Sequence, residues 1–237
     1  MSHIDAYTIK ARIAPAIVVV LPLISVALVW FPKLLSLPGL SALGTAGVAL
    51  VVIVAWQTRR AGKQLQEELK REWGAMPTTI VLRHSDDTFT ESQKARYHAM
   101  LQERVPGISI PDAQAEARDP AEADRNYAMA TDWLREQTRD NPVVSSENAT
   151  YGFFRNLCAL RGQGLASAAV GIIASGAAIA LDKAPATPET AAVVSLGISL
   201  VCVAVMFLHA TRRHVETASR EYAVALIRSV DGTARPH

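Results

Sequence analysis

The chain is poor in cysteine, in aromatic residues and in charge. Only two of its 237 residues are cysteines, Cys158 and Cys202, and their spacing fits neither a metal-binding motif nor a disulfide framework. Aromatic residues make up 6% and charged residues 19% of the chain, whereas an ordinary soluble domain carries ~25% charged residues. This composition excludes a disulfide scaffold, a collagen-like fibre and a disordered chain, and it predicts two free, buried thiols.

Apolar residues are abundant instead, at 50% of the chain, and they are gathered in four stretches that contain no Asp, Glu, Lys or Arg. A helix needs about 20 mainly apolar residues to cross the ~30 Å core of a bilayer. The stretches also lack the polar face that a buried helix of a soluble bundle would show. The sequence therefore predicts a mainly α-helical protein with four transmembrane helices, at residues 13–31, 40–57, 163–181 and 190–210.

The first stretch follows Lys10 and Arg12, as a secretory signal would. Its apolar part is longer than the roughly 7–15 residues of a signal peptide, and no small-x-small cleavage motif closes it. Trp30 and Lys33 follow instead, as in an anchor at the membrane interface. We expect this stretch to be retained as the first transmembrane helix.

Short connections that contain proline, at 32–39 and 182–189, join the four helices into two hairpins. The predicted order is an N-terminal hairpin over 1–57, a central domain over 58–160, a C-terminal hairpin over 161–211 and an amphipathic tail over 212–237. Each connection holds one basic residue, whereas the opposite helix ends hold nine. Basic residues accumulate on the cytoplasmic side. We therefore expect the spans in a bacterial inner membrane, with both termini and the central domain in the cytoplasm.

The central segment has the composition of a soluble domain. Over residues 58–162 it carries 15 basic and 16 acidic residues, a balance that gives no basic footprint for nucleic acid. Its patterns predict a helix that ends at Gly74, a helix opened by a Thr88–Glu91 capping box, a helix capped by Asp119, and a helix over about 146–160. The run at 78–84 predicts one strand or extended piece, so any sheet is small or completed by another subunit. We expect the tail to pack on this domain.

The densest polar cluster contains Arg83, His84, Asp86 and Asp87, with His98 further along the chain. Turn and cap preferences alone explain Asp, Ser and Thr at such a place. A small-molecule pocket in which Arg83 binds an anionic group, or a metal or catalytic site, are the alternatives. No catalytic or cofactor motif occurs in the sequence. We predict no enzyme, no cofactor and no resident metal, and we treat the cluster as a candidate ligand site.

The third span carries a row of small residues, Gly164, Ser167, Gly171 and Ser175. Such rows let helix backbones approach closely within a bilayer. The row either packs the spans of one chain together, or it forms a subunit interface or a pore-lining helix face in an oligomer. In the first span, Pro15 and Pro22 would kink or loosen the helix. Only His209, at the end of the fourth span, could titrate near neutrality, which disfavours a carrier with a charged midplane site.

Two transmembrane hairpins around a central domain form a plan that resembles uncharacterised bacterial four-transmembrane proteins. The plan is similar to that of the four-transmembrane effectors of bacterial nucleotide-signalling defence systems. The stretch NATYGFFRNLCAL, at 148–160, has the look of a family signature. The resemblance implies antiphage defence, in which the membrane is permeabilised or depolarised after a cytoplasmic cue, and it assigns no functional residue.

Three functions are compatible with the sequence. We expect a non-enzymatic, oligomeric membrane effector whose central domain receives a small-molecule or protein signal and alters the packing of the spans. The alternative is a structural subunit that anchors a partner complex at the bilayer. A membrane-bound enzyme that uses the His84–Asp87 cluster is the third. None of the three involves nucleic acid.

Overall fold

The computed structural model describes residues 6–181 and 189–233, and the regular structure of these residues is helical, without a strand. The first half contains α1 (Ala6–Thr8), a π-helical turn (Ile9–Ile13), α2 (Ala14–Trp30), a 3₁₀ turn (Pro32–Leu35), α3 (Leu37–Trp73), α4 (Pro77–Ile80), α5 (Glu91–Arg104) and α6 (Ala113–Arg118). The second half contains α7 (Pro120–Gln137), α8 (Pro142–Ala159), α9 (Arg161–Ala180), α10 (Glu189–Leu208), α11 (Arg212–Arg228) and a 3₁₀ turn (Ser229–Gly232).

The chain divides into two units. The apolar unit comprises the residues up to 66 and residues 152–215, and the polar unit comprises residues 67–151 and those from 216 onward. The boundaries fall inside α3, α8 and α11, so each of these helices contributes residues to both units. The predicted connection between the third and fourth spans, with Lys183, lies outside the described residues.

Four helical stretches are long and apolar enough to cross a membrane. They lie at Ile9–Trp30, in α3, at Arg161–Ala180 and at Thr190–Leu208. The helices α2, α9 and α10 pack against one another, and the core of the unit includes Val20 and Met206. The helix α3 differs from the other three, because 6% of its apolar window is buried, against 39%, 33% and 28% for theirs. Three of the apolar helices therefore form a packed bundle, and α3 is mostly exposed.

The polar unit is built around α5 and α7. Their buried faces include Tyr97, Leu101, Tyr127 and Leu134. Two short helices, α4 and α6, pack on α7. These contacts give the unit a core of its own.

The C-terminal tail packs within the polar unit. Tyr222 of α11 stacks on Tyr151 of α8, with ring centroids 6.3 Å apart. Arg104 of α5 donates a hydrogen bond to the carbonyl of Val230 and another, at 2.7 Å, to the hydroxyl of Thr233. The predicted packing of the tail on the central segment is confirmed.

Two local predictions about helix ends, at Gly74 and at Asp119, are confirmed. The helix α3 ends before Gly74, whose φ is +82°, and the turn after α5 contains Gly107 at φ +70°. Glycine adopts this left-handed conformation without the strain that a side chain adds. The helix α7 begins after Asp119, whose carboxylate accepts the N–H of Glu122 at 2.9 Å. Each of these signals acts over a few residues of backbone.

The predicted strand at 78–84 is wrong. Pro77 begins α4 instead, because its fixed φ suits the first position of a helix, where its missing N–H removes no hydrogen bond. Thr78 and Thr79 are buried on this helix. The described residues offer no second strand with which a β-branched run could pair. Residues 81–84 form turns and a bend.

The predicted capping box lies two residues too early. The hydroxyl of Thr90 accepts the N–H of Gln93 at 3.4 Å, and the side chain of Gln93 accepts the N–H of Thr90 at 3.1 Å. The N–H of Thr88 is bound by the carboxylate of Asp86 at 2.9 Å. Thr88 therefore belongs to the preceding turn, and Thr90 is the residue that caps α5.

Two further helix starts depend on caps that the sequence analysis missed. Asp112 accepts the N–H of Ala115 at 2.7 Å and opens α6. Asn141 accepts the N–H of Val143 at 3.0 Å, so α8 begins about one turn before the predicted residue 146. Side-chain oxygens at these positions satisfy donors that a helix start leaves free.

Candidate functional site

The predicted polar cluster lies in the turn between α4 and α5, within the polar unit. Arg83 pairs with Asp124 of α7, where Nε donates to Oδ1 at 2.8 Å and Nη2 to Oδ2 at 2.5 Å. Hydrogen bonding to Asp124 raises the pKa of Arg83 above its ordinary value. Because both arms of the guanidinium fork bind this carboxylate, Arg83 acts in the structure as a link between the turn and α7.

Lys94 of α5 anchors the same turn. Its side chain is 1% exposed, and its Nζ donates to the carbonyls of His84 at 2.8 Å and Asp86 at 2.6 Å. A third contact joins Nζ to a carboxylate oxygen of Glu91 at 3.4 Å. A buried ammonium is stable only when its donors are satisfied, and these three acceptors satisfy them.

Glu116 of α6 binds the turn and α7 together. Its carboxylate accepts the backbone N–H of His84 at 3.0 Å and the hydroxyl of Tyr127 at 2.8 Å. Burial, followed by this hydrogen bond, raises the pKa of Tyr127, so the phenol keeps its proton and donates. The Nε2 of His84 lies 3.1 Å from the carbonyl of Pro111. A carbonyl only accepts, so Nε2 carries the proton in this contact.

His98 is a buried member of this network. Its Nε2 donates to the carbonyl of Leu82 at 2.8 Å, and its ring stacks on Tyr127 with centroids 5.6 Å apart. The ring of His84 meets it edge-on at 4.9 Å. Burial lowers the pKa of His98 and outweighs the hydrogen bond to Leu82, which raises it. The fold therefore favours a neutral His98.

The two aspartates of the cluster have different surroundings. The side chain of Asp86 is 9% exposed, and its Oδ2 lies 3.6 Å from Nη1 of Arg220. Asp87 is exposed. Within the described ranges, no group of three His, Cys, Asp or Glu residues is placed to hold a metal ion. Arg83, His84 and Asp86 thus hold a turn in place, and Asp87 lies outside that arrangement.

The row of small residues on α9 faces helices of its own unit. A Cβ atom on Gly164 would collide with Met206 of α10. A Cβ atom on Gly171 would collide with Ser199 of α10 and lie 3.2 Å from Cβ of Pro22. The row therefore permits close approach of α9 to α2 and α10.

Serine hydroxyls connect the same three helices in a buried relay. Ser175 of α9 donates to Ser195 of α10 at 2.9 Å. Ser195 lies 2.9 Å from Ser25 of α2, which donates to the carbonyl of Pro22 at 2.8 Å. The hydroxyl of Ser167, which is also buried, has no hydrogen-bond partner among the described residues. This serine relay satisfies buried polar groups without using a charge.

The two prolines in the first apolar stretch leave backbone carbonyls without a helical donor. A carbonyl in an α-helix accepts the N–H four residues later, and proline has no N–H. For Ala11 that position is Pro15. The carbonyl of Ala11 is bound instead by Nδ2 of Asn156, from α8, at 2.6 Å. The turn around Ala11 is π-helical, and such turns occur where the α-helical ladder is interrupted.

The second proline repeats the arrangement. For the carbonyl of Val18, the position four residues later is Pro22, and the thiol of Cys202 from α10 donates to this carbonyl at 3.5 Å. Both cysteines are free. Cys202 is buried and Cys158 half-buried, and burial raises the pKa of Cys158. The thiols are free, as predicted, and one of them has a defined backbone partner.

Helix backbones approach closely around Asn156. A Cβ atom on Gly62 of α3 would collide with the Asn156 side chain. A Cβ atom on Gly152 of α8 would lie 2.8 Å from Cβ of Ala11. Glycine permits both approaches because it has no Cβ atom. The residues Ala11, Gly62, Gly152 and Asn156 thus form the Asn156 junction, where α3, α8 and the π-helical turn meet.

Sequence reasoning noticed the stretch that contains Asn156 but gave none of its residues a role. A usable signal was present, because the residue four positions before each proline of an apolar helix needs a donor from elsewhere. Lys94 was missed because lysines are almost always exposed. Its burial depends on acceptors that come from a separate turn.

Searches against family models, curated proteins and solved structures found no match to the chain. The function proposed below is therefore argued from the geometry of the described residues.

Proposed function

We propose that the chain is a non-enzymatic, multi-pass protein of the bacterial inner membrane that acts as a signal-responsive effector. A small molecule or partner protein binds the polar unit in the cytoplasm, the packing of the spans changes, and the membrane is permeabilised or depolarised. The resemblance in plan to defence effectors supports antiphage defence as the setting. The four spans form two hairpins in this proposal.

Charge and tryptophan distribution support the membrane topology. Trp56 is exposed on α3, and the guanidinium of Arg60 lies 4.2 Å from its ring centroid. At the end of α2, Nε1 of Trp30 donates to the carbonyl of Ala174 at 3.3 Å. Tryptophan is enriched at both membrane interfaces, and basic residues are enriched on the cytoplasmic side. The basic helix ends, and with them the polar unit, therefore face the cytoplasm in the proposal.

One observation supports the proposal that the spans respond to a signal. Asn156 supplies the donor that Pro15 withholds from the carbonyl of Ala11. It does so from α8, a helix whose residues 142–151 belong to the polar unit. An unsatisfied carbonyl in a bilayer costs several kcal/mol. Displacement of α8 by a signal would therefore change the hydrogen bonding, and with it the conformation, of the first span.

The test is the membrane potential of bacteria that express the full chain, measured with a potential-sensitive dye. We expect Asn156→Ala, which leaves the carbonyl of Ala11 without its donor, to depolarise cells in the absence of any signal. Asn148→Ala is the matched control, because Asn148 lies two turns away on α8 and its side chain makes no hydrogen bond to the described residues. Alkaline extraction confirms that each variant is inserted. An inserted, abundant Asn156→Ala protein that leaves the potential unchanged would contradict the effector function.

Reporter fusions test the topology separately. Alkaline phosphatase inserted in the connection at 32–39 should be active, and green fluorescent protein fused after His237 should fluoresce. Both expectations follow from cytoplasmic termini. The opposite pair of results would reverse the orientation proposed for the spans.

The proposal includes assembly into a homo-oligomer. The small-residue row on α9 is occupied by α2 and α10 of the same chain, so subunits would meet through the outer face of α3, where Ile53 and Trp56 are exposed. The mass of the detergent-solubilised particle tests this assembly. A monomeric mass would contradict it, and Ile53→Asn should reduce the mass of an oligomer.

A cleft in the polar unit favours the scaffold alternative. It has a volume of about 720 Å³, runs along α8 and α11, and is lined by Glu147, Arg220 and Arg228 among others. Val143 in its lining is 61% exposed. Mixed charge beside an exposed apolar side chain suits a protein segment. A co-purifying partner that is lost in Val143→Asp, together with an unchanged potential in Asn156→Ala, would establish the scaffold function instead.

A further inference from the structure

An apolar groove of about 740 Å³ lies between α2 and α3 in the apolar unit. Its walls include Ile17, Leu21, Ile24, Gly44, Val48 and Val52. Thr8 has the single polar side chain among the described residues that line it. Ile17 is 45% exposed, and Val48 is 65% exposed, so the described part of the chain leaves the groove open.

A cation lies at one end of the groove. Ala55 is the last residue of α3 in the lining, and Arg59 follows one turn later on the same face of the helix. Arg59 is exposed and makes no hydrogen bond or ion pair with any described residue. Its neighbour Arg60 differs, because its guanidinium lies against the ring of Trp56. An arginine with no partner among the described residues therefore lies one helical turn beyond the last α3 residue of the groove.

We propose that this groove holds an acyl chain of one anionic phospholipid, whose phosphate pairs with Arg59. The uncharged walls match a hydrocarbon chain, and a guanidinium binds phosphate with two hydrogen bonds. Basic residues beside transmembrane helices bind anionic headgroups on the cytoplasmic side in the same way. The inference rests on the proposed membrane placement, and it is independent of the effector function. It assigns the lipid to the cytoplasmic leaflet.

Charge argues against a second copy of the chain as the occupant. The helix ends beside Arg59 carry further basic residues, among them Arg12, Arg60 and Lys63. A second copy with the same orientation in the groove would bring an identical basic set to Arg59, and like charges repel. The subunit contact proposed above uses Ile53, on the opposite face of α3 from the groove. A copy with the opposite orientation would place its basic ends in the other leaflet, against the positive-inside rule. An anionic phosphate supplies the opposite charge.

The test is lipid retention by the full-length protein. The protein is reconstituted in vesicles of equal phosphatidylglycerol and phosphatidylcholine, solubilised in mild detergent, and analysed by native mass spectrometry. Gly44→Leu fills the groove, because a Cβ atom on Gly44 meets nothing within 4 Å. Gly197→Leu on α10 is the matched control, because a Cβ atom there also meets nothing within 4 Å.

We expect one phosphatidylglycerol per chain on the wild type and on Gly197→Leu. Gly44→Leu should retain about tenfold less lipid of either kind, because its side chain occupies the groove. Arg59→Gln should retain lipid but lose about tenfold in preference for phosphatidylglycerol, because a charge-assisted pair is gone. Arg60→Gln should keep the preference.

Equal retention by Gly44→Leu and Gly197→Leu would overturn the inference, and so would a wild type without headgroup preference. A lipid-free dimer that Gly44→Leu dissociates would assign the groove to a second copy and overturn it as well. Alkaline extraction separates these results from a failure of the proposed function. Protein that is not inserted contradicts the membrane placement, whereas inserted protein without retained lipid contradicts only the lipid site.

Discussion

The two units satisfy their buried polar groups by different means. In the apolar unit, the serine relay ends on the carbonyl of Pro22, and Asn156 binds the carbonyl of Ala11. Every donor and acceptor in these contacts is neutral. In the polar unit, the buried ammonium of Lys94 binds two carbonyls, and the ion pair of Arg83 with Asp124 joins the turn to α7.

The difference fits the membrane placement that is proposed for the apolar unit. A charge is expensive wherever water cannot reach it, and it is most expensive in a bilayer. Neutral hydroxyl and amide groups avoid that penalty, but each contact contributes little. Charged groups near water contribute more to the free energy of unfolding. Removing the partner of such a group therefore costs more of that free energy. The comparison predicts that single substitutions in the polar network are costlier than single substitutions in the serine relay.

The largest effect is expected at Lys94. Lys94→Met would leave the carbonyls of His84 and Asp86 without a donor, and we expect the polar unit to lose about 3 kcal/mol of stability. Hydrogen exchange measures this loss, because the amides of residues 81–90 should exchange faster. Lys70→Met, at an exposed position of α3, should change little. Unaltered exchange in Lys94→Met would show that a buried charge does not anchor the turn.

The next effect concerns close packing in the apolar unit. Gly171→Leu would force a side chain into Ser199 and Pro22, and we expect a loss of about 2 kcal/mol. Gly176→Leu is the control, because a Cβ atom on Gly176 meets nothing within 4 Å. The thermal midpoint of the detergent-solubilised protein should fall for Gly171→Leu and stay near the wild-type value for Gly176→Leu. Equal midpoints for both variants would mean that α9 does not pack through this row.

A smaller effect is expected in the serine relay. Ser195→Ala removes two neutral hydrogen bonds, which inside membranes amount to about 1 kcal/mol together. Ser41→Ala is the matched control, since the hydroxyl of Ser41 bonds only to carbonyls of its own helix. The same midpoint measurement should show a slight decrease for Ser195→Ala alone. A loss of stability as large as the one that hydrogen exchange gives for Lys94→Met would contradict the contrast between the units.

The smallest effect is a dependence on pH. Burial lowers the pKa of His98 in the folded state below its ordinary value of 6.5, so the unfolded chain takes up this proton first as the pH falls. The contribution of neutral His98 is complete above pH 6.5 and is lost as the pH falls toward the folded pKa. Protection factors, which correct for the slower intrinsic exchange at low pH, should fall on acidification at residues 81–90 more in the wild type than in His98→Gln, whose amide can still donate to Leu82. Identical acid responses would exclude His98 as the titrating group.

The sequence predicted what short-range signals determine. Charge-free length predicted four helices able to cross a membrane, and Gly74 and Asp119 marked helix ends because turn and cap geometry involve only neighbouring residues. The strand prediction at 78–84 was wrong for the opposite reason. A strand requires a distant partner, and Pro77 acts locally to start a helix.

The candidate sites show the same division between short-range signals and contacts with distant residues. Arg83, His84 and Asp86 were found as a cluster, but their partners Asp124, Lys94 and Glu116 lie on three other helices, so their structural role was not visible. The exposure of α3 depends on which apolar helices pack against one another. Mean hydropathy does not determine this, because α3 at 2.1 lies between the packed helices at 1.5 and 2.6.

The π-helical turn at Ile9–Ile13 also has a genetic consequence. A turn of this kind holds one residue more than an α-helical turn. The π-helical and α-helical forms of this turn therefore differ by one codon in the gene. Deletion of one codon within the turn would restore α-helical winding and leave Tyr7 on the same face of the helix as before. The turn therefore absorbs a change of one residue in chain length without rotating the helix on either side of it.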